Sequence, residues 1–411
     1  MIPTYKNKKF IDEINFFDKI VLLRVDFNVP ILNGHITSTK RIIASLKTIK
    51  KITNDGGRLV ILSHLGRIKT KDDLEKKSLR LVAEKLEQIS GLDIKFIPYN
   101  RGQEVENAIQ KLENGQILLL ENTRFQDLNN KAESKNDPEL GKYWASLGDI
   151  FINDAFGTLH RAHASNVGIA TYIQESGIGY LVKEELDSLS KLIFAPKKPF
   201  YAIIGGAKIS DKIGIISTLL EKADKVLIGG GMGYTFKKAL GYKIGLSICE
   251  DDKLKLALDL MQKYPDKLVL PLDAALAPEF KDVEPIYNEE NPLEIPDHLE
   301  GMDIGPLTIK LFEDQLKDAK TVLWNGTLGV AEFKNFANGT REVAKIIAKI
   351  PNCYSVIGGG DSVAAIEAEN LTKSFSHIST GGGASISFIE KGDLIGLGPI
   401  QEKDDNKPKT L

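Results

Sequence analysis

The sequence predicts an α/β protein: two doubly wound parallel-sheet domains, each three layers deep (α/β/α), joined by a hinge helix. Three observations predict it. Short aliphatic and β-branched runs alternate with amphipathic helical stretches, the rhythm of parallel strands with crossover helices. At 411 residues the chain exceeds one ordinary core and suits two domains of about 200 residues. The rhythm breaks at Ala195-Pro196-Lys197-Lys198-Pro199 and then restarts.

The elements follow in order. Lys19 to Val25 reads as a buried strand running into the turn DFNVP. Lys40 to Thr53 places Ile42, Ile43, Leu46, Ile49 and Ile52 at helical spacing. Strands follow at Leu59–Leu62, Ile94–Ile97, Ile117–Leu120 and Ile150–Ile152, separated by helices at Leu79–Ile89, Val105–Leu112 and Pro138–Leu147. Lys183–Leu192 is amphipathic and marks the junction, with residues 1–183 before it and 184–390 after. The second series comprises strands Phe200–Ile204, Lys225–Ile228, Leu268–Leu270, Thr321–Trp324 and Tyr354–Ile357. Its helices are expected at Ile209–Leu220, Tyr234–Leu240, Asp252–Met261, Pro306–Leu316, Arg341–Ile350 and Ile386–Ile389. Asp282 to Glu300 reads as loose chain, and the polar end from Gln401 as mobile.

Ligands of such sheets bind beyond the carboxyl ends of the strands. In the first half those positions carry Asp26 and Asn28, then Arg41, His64, Arg67, Arg124, His160, Arg161 and His163. Guanidinium forks match carboxylate and phosphate oxygens two at a time, so this edge reads as a cradle for a small, highly anionic molecule. His160 and His163 have no third ligand at matching spacing, which argues against a metal there. In the second half the strand ends carry glycine: Gly205-Gly206, Gly229-Gly230-Gly231, Gly326, Gly358-Gly359-Gly360 and Gly381-Gly382-Gly383. Glycine lets a backbone approach phosphate closely. Lys208 and Lys212, four apart, are expected on one helical face. Asp361 and Ser362 are expected to cap a helix opening on Val363, with Asp361 offering a hard oxygen to a phosphate-bound Mg²⁺.

Composition narrows the classes. Hydrophobic residues make up 42% and charged residues 27%, the balance of a soluble globular protein. A net charge of −2 gives no overall attraction to nucleic acid or an acidic membrane. Cys249 and Cys353 form no CxxC pair, which suits a reducing compartment. No signal-like or membrane-length apolar run occurs, so the cytoplasm is the expected location. No GxxxxGK[ST] loop is present, no GxGxxG follows a strand, and HRD and DFG are missing, which removes P-loop enzymes, dinucleotide dehydrogenases and protein kinases. A binding protein that keeps such a scaffold without turnover remains the alternative.

RVDFNVP, SHLGR, ENTRF, NDAFGTLHRAH, GGAKISDK, IGGGMGYTF, WNGTLGV, GGGDS and STGGGAS, in this order over nearly the whole chain, resemble the signature segments of the phosphoglycerate kinase family. The resemblance implies a cytoplasmic monomer that transfers a phosphoryl group reversibly from 1,3-bisphosphoglycerate to MgADP, giving 3-phosphoglycerate and ATP after the domains close. It implies a glycerate site of Asp26, Phe27, Asn28, Arg41, His64, Leu65, Gly66, Arg67, Arg124 and Arg161 in the first domain. It implies nucleotide contacts from Lys208, Lys212, Gly230, Gly301 near the base, Asn325, Glu332 on the ribose, and Gly359, Gly360, Asp361 and Ser362. Asp361 would work with Mg²⁺; Arg41, Lys212, Gly381, Gly382 and Gly383 would face the moving phosphoryl group. Residues 391–411 would pack back on the first domain. This chain departs from the family pattern at Ile68, Gly233, Thr327, Ala331 and in the closing KGDLIGLGPI. Thr327 and Ala331 lie near Glu332, which ties those departures to nucleotide affinity and base preference.

Overall fold

The structure, a computed structural model, describes residues 3–403. Contacts divide the chain into two compact units, one ending at Asp187 and resuming at Lys391, the other running from Ser188 to Glu390. The division falls inside one continuous helix, Tyr180–Phe194, where the sequence placed it at 183.

The first unit contains strands β1 (Ile20–Val25), β2 (Ile31–Leu32), β3 (His35–Ile36), β4 (Arg58–Leu62), β5 (Ile94–Phe96), β6 (Ile117–Leu119), β7 (Ile150–Asp154) and β8 (Glu175–Ile178). β2 and β3 form a small hairpin, and the other six make a sheet in the order β5-β6-β4-β1-β7-β8. Pairing is parallel, with Leu23 facing Ile61 on one side and Ile152 on the other. Both faces of β1 are buried, because Val21, Leu23 and Val25 meet one layer of helices while Leu22 is equally sealed on the opposite face. That is why the strand reads as an unbroken apolar run. Helix Lys40–Asn54 buries Ile42, Ile49 and Ile52, but Ile43 is 52% exposed. One position off the stripe is enough to turn it outward.

The second unit contains β9 (Phe200–Ile204), β10 (Lys225–Ile228), β11 (Leu268–Val269), β12 (Ala274–Ala277), β13 (Glu300–Ile304), β14 (Thr321–Asn325), β15 (Tyr354–Gly358) and β16 (His377–Ile378). Its parallel sheet runs β11-β10-β9-β14-β15-β16. The register sets Asn325 opposite both Ile204 and Gly358, so the glycine turns leave the same edge. β12 and β13 form a separate antiparallel pair, and β13 begins where the sequence suggested loose chain.

Two local expectations change. The helix expected from Ile209 begins at Ile213, and Lys208 to Lys212 lie in the turn before it. Ser210 is tied there by its N and Oγ to Glu250 at 3.1 and 2.5 Å, while Ile209 is a buried anchor. Lys208 and Lys212 therefore share no helical face. The helix after β15 begins at Gly360, not Val363, with Gly359 at its cap, so Asp361 and Ser362 belong to its first turn. Gly359 adopts φ +98°, a conformation that favours glycine and frees the helix from needing a side-chain cap.

The chain after Lys391 returns to the first unit: Gly396 N donates to Leu159 O at 2.9 Å and Lys9 N to Gln401 O at 2.8 Å. Buried Lys8 donates Nζ to Gly398 O and Ile400 O at 3.0 and 2.9 Å. Most of the tail expected to be mobile, residues 404–411, lies outside the described residues.

Asp273, just before β12, holds a helix end from outside it. Its carboxylate accepts from Leu307 N (2.9 Å), Thr308 N (2.8 Å) and Thr308 Oγ1 (2.6 Å), at the start of helix Pro306–Leu316. Free helix-start amides are costly when buried. Asp273→Ala should lower the stability of the second unit by about 2–4 kcal/mol. Urea denaturation and hydrogen exchange at the Leu307 and Thr308 amides check this; an unchanged midpoint with unchanged protection refutes it.

Candidate active site

In the first unit one chain of hydrogen bonds ties three strand ends together. Arg41 Nη1 donates to Asp26 Oδ2 at 2.5 Å, and Asp26 Oδ1 accepts from Asn28 N at 3.1 Å. Asn28 Oδ1 accepts from Gly66 N at 2.8 Å, and Gly66 O accepts from Arg124 Nη1 at 2.7 Å. The loops after β1, β4 and β6 thus hold two guanidinium groups in fixed relation. Asn122 supports them, donating to Leu65 O at 2.8 Å and Lys77 O at 2.9 Å while accepting from Arg124 N at 3.0 Å.

Beneath lies a charged layer that sequence reading left unassigned. Arg24, inside β1, has no exposed surface. It donates Nε to Ser165 Oγ at 2.8 Å, and Nη2 meets His64 Nδ1 at 3.1 Å. Ser165 in turn binds Glu133 through Oγ (2.5 Å) and N (2.9 Å). An arginine in the otherwise apolar run IVLLRV was the available signal, since such a residue is rarely buried without a partner.

The histidines here are held neutral. Burial, then the Arg24 and Arg124 charges, pushes His64 well below its ordinary value and His163 from 6.5 to about 3. Burial also lowers Arg124, with Arg161 and Arg67 adding like-charge repulsion. Arg24, Arg41, Arg67, Arg124 and Arg161 therefore act on one cluster. Arg67 and Arg161 are exposed, while Arg124 is buried. Among the buried nitrogens with no hydrogen-bond partner among the described residues are Arg124 Nε, His160 Nδ1 and His163 Nδ1. Phe27 and Leu65 are core side chains, leaving only their backbones available to a ligand.

In the second unit, Gly206, Gly230, Gly301, Thr327, Glu332 and Asp361 line one cavity of about 400 Å³. A Cβ on Gly230 would lie 2.7 Å from Gly206 O, and its φ is +68°, so only glycine lets the two turns close together. Lys212 Nζ donates to Asn325 Oδ1, neither residue being among those that line the cavity, and burial lowers the lysine's pKa. Gly359 lies against Gly326 and Ser362; Ser362 is fully buried with an unpartnered hydroxyl. Gly381 to Gly383 lead into helix Gly383–Lys391, beyond the neighbouring strand end, and do not line this cavity. Lys208 is exposed. No cluster of three His, Cys, Asp or Glu among the described residues could cage a metal. The exposed Asp361 carboxylate fits the other arrangement, a Mg²⁺ bound through one side chain plus ligand phosphates.

Comparison with known proteins gives one answer. The family model described as Phosphoglycerate kinase matches residues 11–392. The chain is 82% identical over 404 residues to a phosphoglycerate kinase of Mesomycoplasma hyopneumoniae, covering 98% of this chain and 100% of that protein. It is 52% identical to the Enterococcus faecalis phosphoglycerate kinase, covering 96% and 100%. Among solved structures, phosphoglycerate kinase from Coxiella burnetii matches with TM-score 0.84 and 36% identity, over 96% of this chain and 98% of that one. The Pyrococcus horikoshii enzyme gives 0.82 and 30%, over the same shares.

The electrostatics carry a direct test. Folded His163 titrates near 3 against 6.5 unperturbed, so the unfolded chain alone binds this proton between those values. The residue then costs stability progressively as pH falls from 6.5 towards 3 and is silent above. Nitrogen-15 NMR should show a neutral His163 ring throughout pH 5–8; a midpoint near 6.5 would exclude this description.

Proposed function

Since this chain belongs to the phosphoglycerate kinase family and so catalyses reversible phosphoryl transfer between 1,3-bisphosphoglycerate and ADP, we propose how its residues divide that work. The arginine edge of the first unit holds the glycerate: Arg67, Arg124 and Arg161 bind its anionic groups, and His64 positions it as a neutral imidazole. Asp26 and Asn28 orient Arg41 and the Gly66 loop, while Phe27 and Leu65 contribute backbone. The observation that carries this is the set of buried, unpartnered nitrogens that includes Arg124 Nε and His163 Nδ1, within a cluster of five arginines. Such groups are costly unless a ligand completes them.

The cavity of the second unit takes the nucleotide. Gly230 and Gly301 border it by backbone, Glu332 meets the ribose, and Gly359, Gly360 and Ser362 with Lys208, Lys212 and Asn325 attend the phosphates. Asp361 would hold Mg²⁺ together with those phosphates, and the ion would supply positive charge there. Lys212, Arg41 and the Gly381, Gly382 and Gly383 amides neutralise charge on the phosphoryl oxygens during in-line transfer. In the ATP-consuming direction the nucleophile is a carboxylate, ionised at neutral pH, so no general base is required. The two half-sites lie on different units and must approach for transfer. Helix Tyr180–Phe194 is the proposed hinge, and closure excludes the water that would hydrolyse an acyl phosphate.

We read the protein as a cytoplasmic monomer. No helix among the described residues is long and apolar enough to cross a membrane.

In a coupled assay with ATP, Mg²⁺ and 3-phosphoglycerate, Arg41→Ala and Lys212→Ala should each lower kcat by on the order of 10²–10³-fold, the scale of one lost oxyanion donor. Near-normal turnover in either variant removes that residue from the mechanism. Arg161→Ala, an exposed change, should raise KM for 3-phosphoglycerate with little effect on folding; an unchanged KM rejects its placement.

A further inference from the structure

The turn from Thr158 to His163 carries Arg161, and one buried side chain from beyond the turn fastens it. Asn166 has no exposed surface and lies in a single wide helical turn, Ala164–Gly168. Its Nδ2 donates to Thr158 O at 3.1 Å and to Arg161 O at 3.0 Å. Its Oδ1 accepts from His163 N at 2.8 Å and from Val167 N. Every donor and acceptor position of the amide is thus used, three of them on the preceding turn.

The platform that carries Asn166 is fixed independently. Ser165 is tied to buried Glu133 by N and Oγ, and Ala164 N donates to Glu133 O at 2.9 Å. Gly168 lies so close to helix Pro138–Ala145 that a Cβ on it would sit 3.0 Å from Gly141 Cα. Within the turn, Leu159 O accepts from Gly396 N at 2.9 Å, and His163 O accepts from Gly168 N at 3.2 Å. Arg161 has no such second anchor. Its N donates to Thr158 O at 3.1 Å and its Nε to His160 Nε2 at 3.0 Å, both inside the turn. Among the described residues, the bond from Asn166 Nδ2 is the one that joins Arg161 to anything outside the turn.

Resting on the reading that Arg161 binds the glycerate, we propose that Asn166 is a positioning residue that sets affinity for 3-phosphoglycerate. It fixes the backbone from which the exposed Arg161 side chain reaches the substrate. A long side chain already loses rotamer freedom when it binds. A root that also had to be ordered would add to that cost, so fixing it in advance strengthens binding. Arg161 is not assigned to the moving phosphoryl group, so the effect falls on KM and leaves kcat alone.

The test is steady-state kinetics of the full-length protein with ATP, Mg²⁺ and 3-phosphoglycerate. Asn166→Ala should raise KM for 3-phosphoglycerate by on the order of tenfold, the scale of one bond to a charged group. KM for ATP and kcat should stay within about twofold. Added to Arg161→Ala, the same change should raise KM by no more than about twofold, because the group it positions is already gone. A merely structural role would lower the thermal midpoint without that dependence on Arg161. Asn166→Ser, which keeps a hydroxyl, should raise KM less and carries the test if the alanine variant does not fold. An unchanged KM, an equal rise in the Arg161→Ala background, or a serine variant too unstable to assay overturns the proposal. If Arg161→Ala alone leaves KM unchanged, the placement of Arg161 falls and this proposal with it. If Arg161→Ala raises KM and the folded Asn166 variants do not, that placement stands and only the role of Asn166 is lost.

Discussion

Five guanidinium groups crowded at one sheet edge are the constraint on which the first unit depends. Arg24 is completely enclosed, and Arg124 nearly so. Removing such ions from water costs several kcal/mol each unless partners compensate. Asp26 takes Arg41 directly, and Glu133 reaches Arg24 through Ser165. These carboxylates do not neutralise the cluster, and the histidines show it: His64 and His163 are driven to the neutral form by burial and surrounding positive charge. On the proposed reading, an anionic ligand that binds only the folded state would offset that cost.

In the second unit, the cavity proposed for the nucleotide has no arginine or lysine among its lining residues. Its turns come so close that a side chain at Gly230 would strike the backbone of Gly206. Peptide N–H groups and helix starts supply the positive potential, and glycine supplies the access. Lys212 lies outside that lining and leans on Asn325 rather than on a carboxylate, which leaves its charge available. On the proposed reading, the cluster of arginines would recognise the acid end of a small substrate bidentately. A lining of amides instead suits a polyphosphate, whose oxygens lie along an extended chain.

Much of the fold was legible in the sequence because buried strands announce themselves as apolar runs, and the residues proposed for both sites follow the ends of those strands. Gly230, Gly301, Glu332 and Asp361 meet in one cavity although they are scattered over some 130 residues of chain. The failures share a cause: they concern residues whose neighbours are remote. The short edge strands Glu175–Ile178 and His377–Ile378 have little apolar signal of their own, and their pairing comes from strands already formed. Glu300 to Ile304 becomes a strand through Ala274 to Ala277, two segments too rich in alanine, glycine and acid to suggest one. Ile209 looked helical by spacing, but Glu250 captured the turn beside it. Arg24 lay in plain view within a recognised motif; only the partners Ser165, Glu133 and His64 reveal why it is buried.

The neutral histidines bear on the chemistry as well as on stability. A histidine poised near pH 7 inside such a cluster would invite the role of general base. Here burial first, and then the neighbouring arginines, hold His64 and His163 below that range, so the enclosed, positively charged site proposed to take the anion also weakens them as bases. That is no handicap for transfer onto a carboxylate, which arrives already ionised. A hydroxyl acceptor would need a base, and neither His64 nor His163 has the basicity for the task. On the proposed reading the arginine cluster acts twice: it attracts the acid substrate and, together with burial, it suits the site to a nucleophile that needs no deprotonation.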